Sequence, residues 1–303
     1  MRSERGSGGK GIMARRRWQG VAAAAFLVLA AATAGAAERL KPYVLAEQAP
    51  GDLGAKVGAV RQALQGAGFA IAGEVDPYDG AHVFVVTSDA LLKAAAVSPT
   101  RGFGAAQRVA VTKVGDQLQV SFTNPAWMAG VYDMGSDLAD VAAALRGALG
   151  SKEDFGSKEG LTLKQLRSYH YMAFMPYFAD QVTLAEYASH EEALAKVAAG
   201  LAAAKGVKQV ARIDVPGAEE TLFCVAIAAG DGADATVMKT TDTGALRHTA
   251  HLPYELLVSG KKAIMLHGKF RIAQSFPDLT MGTFMRISGA PAGIEKALRE
   301  AVK

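Results

Sequence analysis

One cysteine in 303 residues, Cys224, excludes an internal disulfide, and with it the stapled plan of small secreted domains. It lies in the apolar run Leu222-Phe223-Cys224-Val225-Ala226-Ile227. There it reads as a small buried hydrophobe with no basic neighbour in sequence to activate the thiol. Aromatics are sparse, at 7%. A charge of one sign is missing too. Residues 1–37 hold six of the 33 basic residues and one of the 29 acidic ones, so the rest carries 27 against 28. A remainder with a net charge of −1 offers no electrostatic footprint for nucleic acid or anionic lipid, and neither partner is expected.

The one long apolar run, Val21–Ala32, is short for a membrane span of about 20 residues. Arg15, Arg16 and Arg17 precede it, and Ala34-Gly35-Ala36-Ala37 follows. A basic region, a short apolar core and small residues at a cleavage site are the plan of a secretory signal peptide. Residues 1–37 are therefore expected to direct export, with Met1 or Met13 as start. The mature protein is expected in the periplasm or outside the cell, with no membrane contact beyond the signal peptide.

Hydrophobic periodicity then says the same thing twice. Residues 52–65 read as an amphipathic helix stopped by Gly66 and Gly68. Strands follow over 69–75 and 82–87, a short helix over 90–96, a hairpin over 108–114 and 118–123, and a helix over 138–149. The second half opens with Ser189 and Glu192, a capping box for a helix through Ala204. Strands over 207–214 and 221–228, a hairpin over 255–259 and 263–267, a sheet extension over 270–276 and a helix over 292–302 complete it. AGFAIAGEVDP (67–77) echoes KGVKQVARIDVP (205–216). DLADVAAALRGAL (137–149) echoes AGIEKALREAV (292–302). The expected class is α+β, two related domains, each an antiparallel sheet packed with helices. Residues 38–150 form the first domain, 189–303 the second, and 151–188 a linker with a short helix over 162–168.

Several of these residues carry a resemblance. Gly68-Phe69 after a helix, the helix 90–96, the Val-rich hairpin with its Pro stop, and in the second half Leu252-Pro253 before Glu255–Val258 resemble the bacterial family known as domain of unknown function 302. The resemblance covers most of 50–150 and 189–303. Ala106-Gln107 stands where the second half has Leu252-Pro253. It implies a compact α+β fold with an antiparallel sheet, and it brings no catalytic residues.

Two groups of residues carry candidate chemistry. The linker holds a dense aromatic and methionine run, Tyr169-His170-Tyr171-Met172-Ala173-Phe174-Met175-Pro176-Tyr177-Phe178. Adaptable Met and amphipathic Tyr suit recognition, so Tyr169, His170, Tyr171, Met172, Met175 and Tyr177 are a candidate surface for a small molecule or a protein partner. The same run also suits packing across the domain junction. Arg271, on the expected strand 270–276, is the candidate cleft-lining charge, or else the solvent face of that strand. The second group is His248-x-x-His251 with His267, imidazoles suited to copper or zinc, with Met265, Met281 and Met285 nearby in sequence.

Other motifs fail on their own chemistry. His190-Glu191-Glu192 lacks the second histidine of HExxH, with Leu194 in its place. Asp242-Thr243-Gly244 has no partner tripeptide to share a proton. No nucleophile elbow or phosphate loop follows residue 37. The reading is a non-catalytic binding or accessory protein that uses the domain junction. The alternatives are a periplasmic copper or zinc binder and an enzyme whose site assembles only in three dimensions.

Overall fold

The computed structural model describes residues 38–303; the expected signal peptide, 1–37, lies outside the described residues. The first half runs β1 (Tyr43–Pro50), α1 (Leu53–Gly66), β2 (Ala70–Val75), β3 (Ala81–Thr87) and α2 (Asp89–Ala95). A 3-10 turn, Arg101–Gly104, leads to β4 (Gln107–Val114), β5 (Gln117–Thr123), α3 (Pro125–Val131) and α4 (Ala139–Leu149). Then come β6 (Glu153–Phe155), α5 (Leu163–Arg167) and β7 (Val182–Glu186). The second half continues with α6 (His190–Ala203), β8 (Val207–Val215), β9 (Glu220–Ile227), α7 (Asp234–Thr241) and a 3-10 turn, Thr249–His251. It closes with β10 (Tyr254–Ser259), β11 (Lys262–Met265), α8 (Gly268–Ala273), α9 (Met281–Arg286) and α10 (Ala290–Ala301). No helix among the described residues is long and apolar enough to cross a membrane.

The class is α+β, with two antiparallel sheets. The first has the order β2-β3-β4-β5-β1-β6 and the second β8-β9-β10-β11-β7. Apart from β6, the two strand orders are the same, and the succession of elements agrees from the first strand to the helix after the hairpin, β1 to α3 and β7 to α8. Even the irregularities match. β2 bulges between Ile71 and Gly73 where it pairs β3, and β8 bulges between Gln209 and Ala211 where it pairs β9. These two bulges meet: the Cα of Gly73 lies against the Val210 carbonyl, where a Cβ would collide.

Local chemistry sets the boundaries. Asp52 caps α1 by accepting the Ala55 amide at 2.8 Å, and Ser189 caps α6 by accepting the Glu192 amide at 3.1 Å. Glu192 reaches past the cap to the Ala188 amide, 2.9 Å, so the expected box closes one residue early. Gly68 and Gly206, both at positive φ (82° and 78°), turn the chain from α1 and α6 into β2 and β8.

Strand alternation gives each sheet an outer and an inner face. The outer face of the second sheet, with Phe223, Val225, Leu256 and Val258, packs against Val197 and Leu201 of α6 and Ile294 and Leu298 of α10. Its inner face, with Leu222, Cys224 and Leu257, shares one core with the first half. The inner face of the first sheet is unusually polar. Arg108, Thr112, Gln119, Ser121 and Thr123 are all buried on it. The two inner faces turn toward each other, with the 3-10 turns between.

Two expectations differ from the structure. Residues 270–276 are not a strand: α8 begins at Gly268, capped by His267 Nδ1, which accepts the Lys269 amide at 3.2 Å. The i, i+4 pair Ile272 and Phe276 packs on the second-half core while Phe270 and Ala273 face the shared one. Two buried helix faces imitate an alternating strand. The segment 151–188, expected as a linker, carries a strand near each end: β6 pairs with β1, and β7 pairs with β11.

Candidate functional site

At the centre of the junction is a buried ionic group drawn from both halves. Arg108 of β4 and Glu255 of β10 occupy equivalent places in the two strand orders and form an ion pair across the inner faces. Glu255 also accepts from Arg271 Nε at 2.7 Å. Arg271 in turn donates to His251 Nδ1 at 2.8 Å, to Ser275 Oγ at 2.9 Å and to the His251 carbonyl. Because guanidinium only donates, Nδ1 of His251 is an acceptor, and its Nε2 carries the hydrogen toward Tyr254 Oη, 3.3 Å away. Burial first, then the charges of Arg271 and Arg108, hold His251 well below the usual imidazole range, so it stays neutral.

Other groups tie the halves together beside it. Glu220 of β9 accepts from the amides of Thr100 (2.5 Å) and Gly102 (2.8 Å), and from Ser259 Oγ (2.6 Å). It thereby caps the 3-10 turn of the opposite half. Reciprocally, the turn at Thr249 receives Thr112 Oγ1 at 2.7 Å and stands 2.7 Å from Tyr78 Oη. Gln119 accepts the Arg247 amide at 3.0 Å and donates to the Ala245 carbonyl at 2.8 Å.

Next to this seam opens a cleft of about 570 Å³. The first half supplies Tyr78, Asp79, Thr112 and Lys113, and the second supplies Ala235, Met238, Lys239, Asp242, Thr243 and Arg247. Ala235, Met238, Lys239 and Asp242 follow helical i, i+3, i+4, i+7 spacing, so one side of α7 and its C-cap forms a wall. Burial pushes the Asp242 carboxyl up to about 6, with the His248 amide and Arg247 pulling the other way. Its Oδ1 accepts that amide at 2.9 Å. The Asp-Thr-Gly tripeptide is thus a helix C-cap and a loop. Burial also pushes Tyr78 up to about 12, keeping the phenol protonated beside Thr249.

The structure distributes the expected site residues widely. Tyr169 is buried between Trp127 and Phe270 and donates to the Ala273 carbonyl at 2.9 Å, so it is a packing residue across the junction. Tyr171 donates to the Leu279 carbonyl. The His170 ring packs tilted against Tyr177, with ring centroids 4.5 Å apart. Met172 and Tyr177 are exposed, Met175 is half-buried, and Phe174 stands fully in solvent at φ 66°. Arg271 neither lines a cleft nor faces solvent: it is buried on α8 in the ionic group.

His248 and His251 flank the ring of Phe276, at 4.8 and 5.2 Å. Burial lowers His248 to about 4, and its Nδ1 faces the Ser275 carbonyl at 3.2 Å. His267 is occupied as the cap of α8. Among the described residues no three His, Cys, Asp or Glu side chains are placed to hold a metal ion. His82 has both ring nitrogens engaged, Nδ1 with Asp76 at 2.6 Å and Nε2 with Glu74 at 2.9 Å. Cys224 does have basic neighbours, Arg108 and Arg271, brought by other elements. Burial outweighs them and pushes the thiol up to about 11, so it is inert.

No family model, no curated protein and no solved structure matches this chain. The residues that sequence reasoning missed are Arg108, Glu255, Tyr78, Lys113, Lys239 and Arg247. For the first two a signal was present: a single charge inside each of the apolar strands QRVAV and YELLV.

Proposed function

We propose that this chain is an exported, non-catalytic binding protein that holds a small ligand in the cleft where its two halves meet. One observation carries the reading: a cleft of about 570 Å³, within the usual range for small-molecule sites, lined by both halves. The buried ion pairs and the reciprocal capping of the two 3-10 turns support a cleft that is formed before the ligand arrives. A binding role rather than catalysis is supported by how the reactive side chains are held. Cys224 is sealed and protonated, and His251 is neutral and enclosed. Export rests on the signal-like residues 1–37. A common origin of the halves, and kinship with domain of unknown function 302, are part of the same proposal, supported by the repeated topology.

The test is native mass spectrometry of the untagged protein beside Ala235→Trp, a variant that fills the cleft from an exposed position. The expected result is a small-molecule adduct on the wild type and none on the variant. Bare masses for both, with no thermal shift of the wild type across a panel of small metabolites, would end the proposal.

A second reading is favoured by Met172, Phe174 and Tyr177. A fully exposed Phe at positive φ is an unusual outlay of strain and apolar surface. On this reading the segment is a contact for a protein partner. Phe174→Ser would then keep the melting temperature and lose a partner that the wild type retains on co-purification from its native host. Retention of that partner by the variant would remove the segment from consideration.

A further inference from the structure

The cleft is asymmetric in charge. Lys113, Lys239 and Arg247 line it, against Asp79 and the buried Asp242. Among the described residues, none of the three cations is in an ion pair. Elsewhere on this protein arginines and lysines are commonly paired, as in Arg61–Glu74 at 2.6 Å and Lys261–Glu186 at 2.8 Å. Three cations that converge from different elements, none in an ion pair and set against two carboxylates, leave a net positive field over a concave, partly apolar surface.

Their placement is fixed by the fold. Lys113 is held at the end of β4 by its amide, which donates to the Gly80 carbonyl at 2.8 Å and ties it to the Tyr78–Asp79 turn. Lys239 projects from the same side of α7 as Ala235 and Met238. Arg247 is anchored by its amide on Gln119 and by its guanidinium on the Asp242 carbonyl. Between the cations lie apolar surfaces, the side chains of Tyr78, Ala235 and Met238. Hydroxyls of Thr112, Thr249 and Tyr78 form a hydrogen-bonded ladder at the first-half side. Planar guanidinium and mobile ammonium groups together recognise carboxylate or phosphate oxygens.

We infer that the occupant of the junction cleft is a small organic anion, with its carboxylate or phosphate held by Lys113, Lys239 and Arg247 and its apolar body against Tyr78, Ala235 and Met238. This rests on the cleft being a binding site and adds the chemical class of what it binds.

The test is calorimetric titration of the full protein with four probes: benzoate, phenyl phosphate, the neutral analogue benzamide, and inorganic phosphate. One of the two aromatic anions is expected to bind at least about tenfold more tightly than benzamide and than inorganic phosphate. Which of the two does so separates a carboxylate from a phosphate ligand. Lys113→Glu combined with Lys239→Glu, both exposed, is expected to remove that preference and leave benzamide unchanged. Benzamide binding as tightly as the anions, lost in Ala235→Trp, would overturn the anion assignment while the cleft remains a site. No heat with any probe, together with the absence of an adduct that Ala235→Trp abolishes, would overturn the cleft itself and this inference with it.

Discussion

Arg108, Glu255 and Arg271 place two cations and one anion out of reach of solvent. Burying charge is costly unless each ion is paired, and removing one partner leaves the other uncompensated. The three residues are therefore unequal. Glu255→Gln strands both guanidinium groups and is expected to cost about 3–5 kcal/mol in denaturant unfolding. Arg108→Met leaves Arg271 and Glu255 as a neutral pair and is expected to cost well under half of that. Equal losses would show that Arg108 is compensated by something other than Glu255. Asp234 adds a pH dependence. Burial pushes its carboxyl up to about 7, against the Ile227 amide that Oδ2 accepts at 3.2 Å. The unfolded carboxyl ionises near 3.8, so the folded state holds the extra proton between pH 4 and 7. Its stabilisation is full below pH 4 and disappears as pH rises through 7. His248 acts oppositely: with its folded value lowered to about 4, stability falls as pH drops from 6.5 toward 4. Asp234→Asn should therefore stabilise the fold at pH 8, by up to about 4 kcal/mol and visible as a higher melting temperature, and the gain should vanish by pH 4. A constant gain across that range would mean that the carboxyl does not titrate there.

Between elements, the decisive contact is the meeting of the β2 and β8 bulges. Gly73 is there because backbone from the opposite half occupies the place of a side chain. Gly73→Ala should cost about 1–3 kcal/mol by overpacking. Gly58, inside α1 with nothing within 4 Å of its missing Cβ, makes the control. Gly58→Ala should stabilise by up to about 1 kcal/mol through helix propensity alone. Thermal melts of the two variants that shifted in the same direction would contradict this account of the seam. Local patterning decided which elements were legible. β2 to β5 and β8 to β11 announce themselves by apolar runs bounded by glycine and proline turns, and α1, α6 and α10 by their helical period. β1 does not, because its apolar run, Tyr43 to Ala46, is only four residues long and gives way to Glu47-Gln48-Ala49-Pro50, which reads as a polar turn. α3 was hidden because Asn124-Pro125 reads as a stop. Pro125 instead sits in the first turn, where it needs no amide partner, and Asn124 caps the Ala126 amide at 3.2 Å.

Over the whole molecule, the candidate site was illegible for a different reason. Tyr78, Lys113, Lys239 and Arg247 are spread over 170 positions, and none lies in a motif. Only the opposition of the two inner faces brings them together. The pair Arg108 and Glu255 was half visible, since a lone charge in a buried apolar strand demands a partner, but its partner lies 147 residues away. The halves therefore resemble one another without being independent. Each supplies the turn that the other caps: Glu220 closes the turn after Thr100, and Thr112 with Gln119 holds the loop through Thr249. Val109 and Phe122 belong to the same core as Leu222 and Leu257. A chain cut between the halves must expose that core and the polar inner face at once. Residues 38–180 and 181–303, produced separately, are expected to lack a cooperative thermal transition, and their equimolar mixture to recover one near that of the uncut protein. Two separate cooperative transitions from the isolated pieces would show that each sheet needs only its own helices. The buried ion pair would then be an interface formed after folding rather than part of the core.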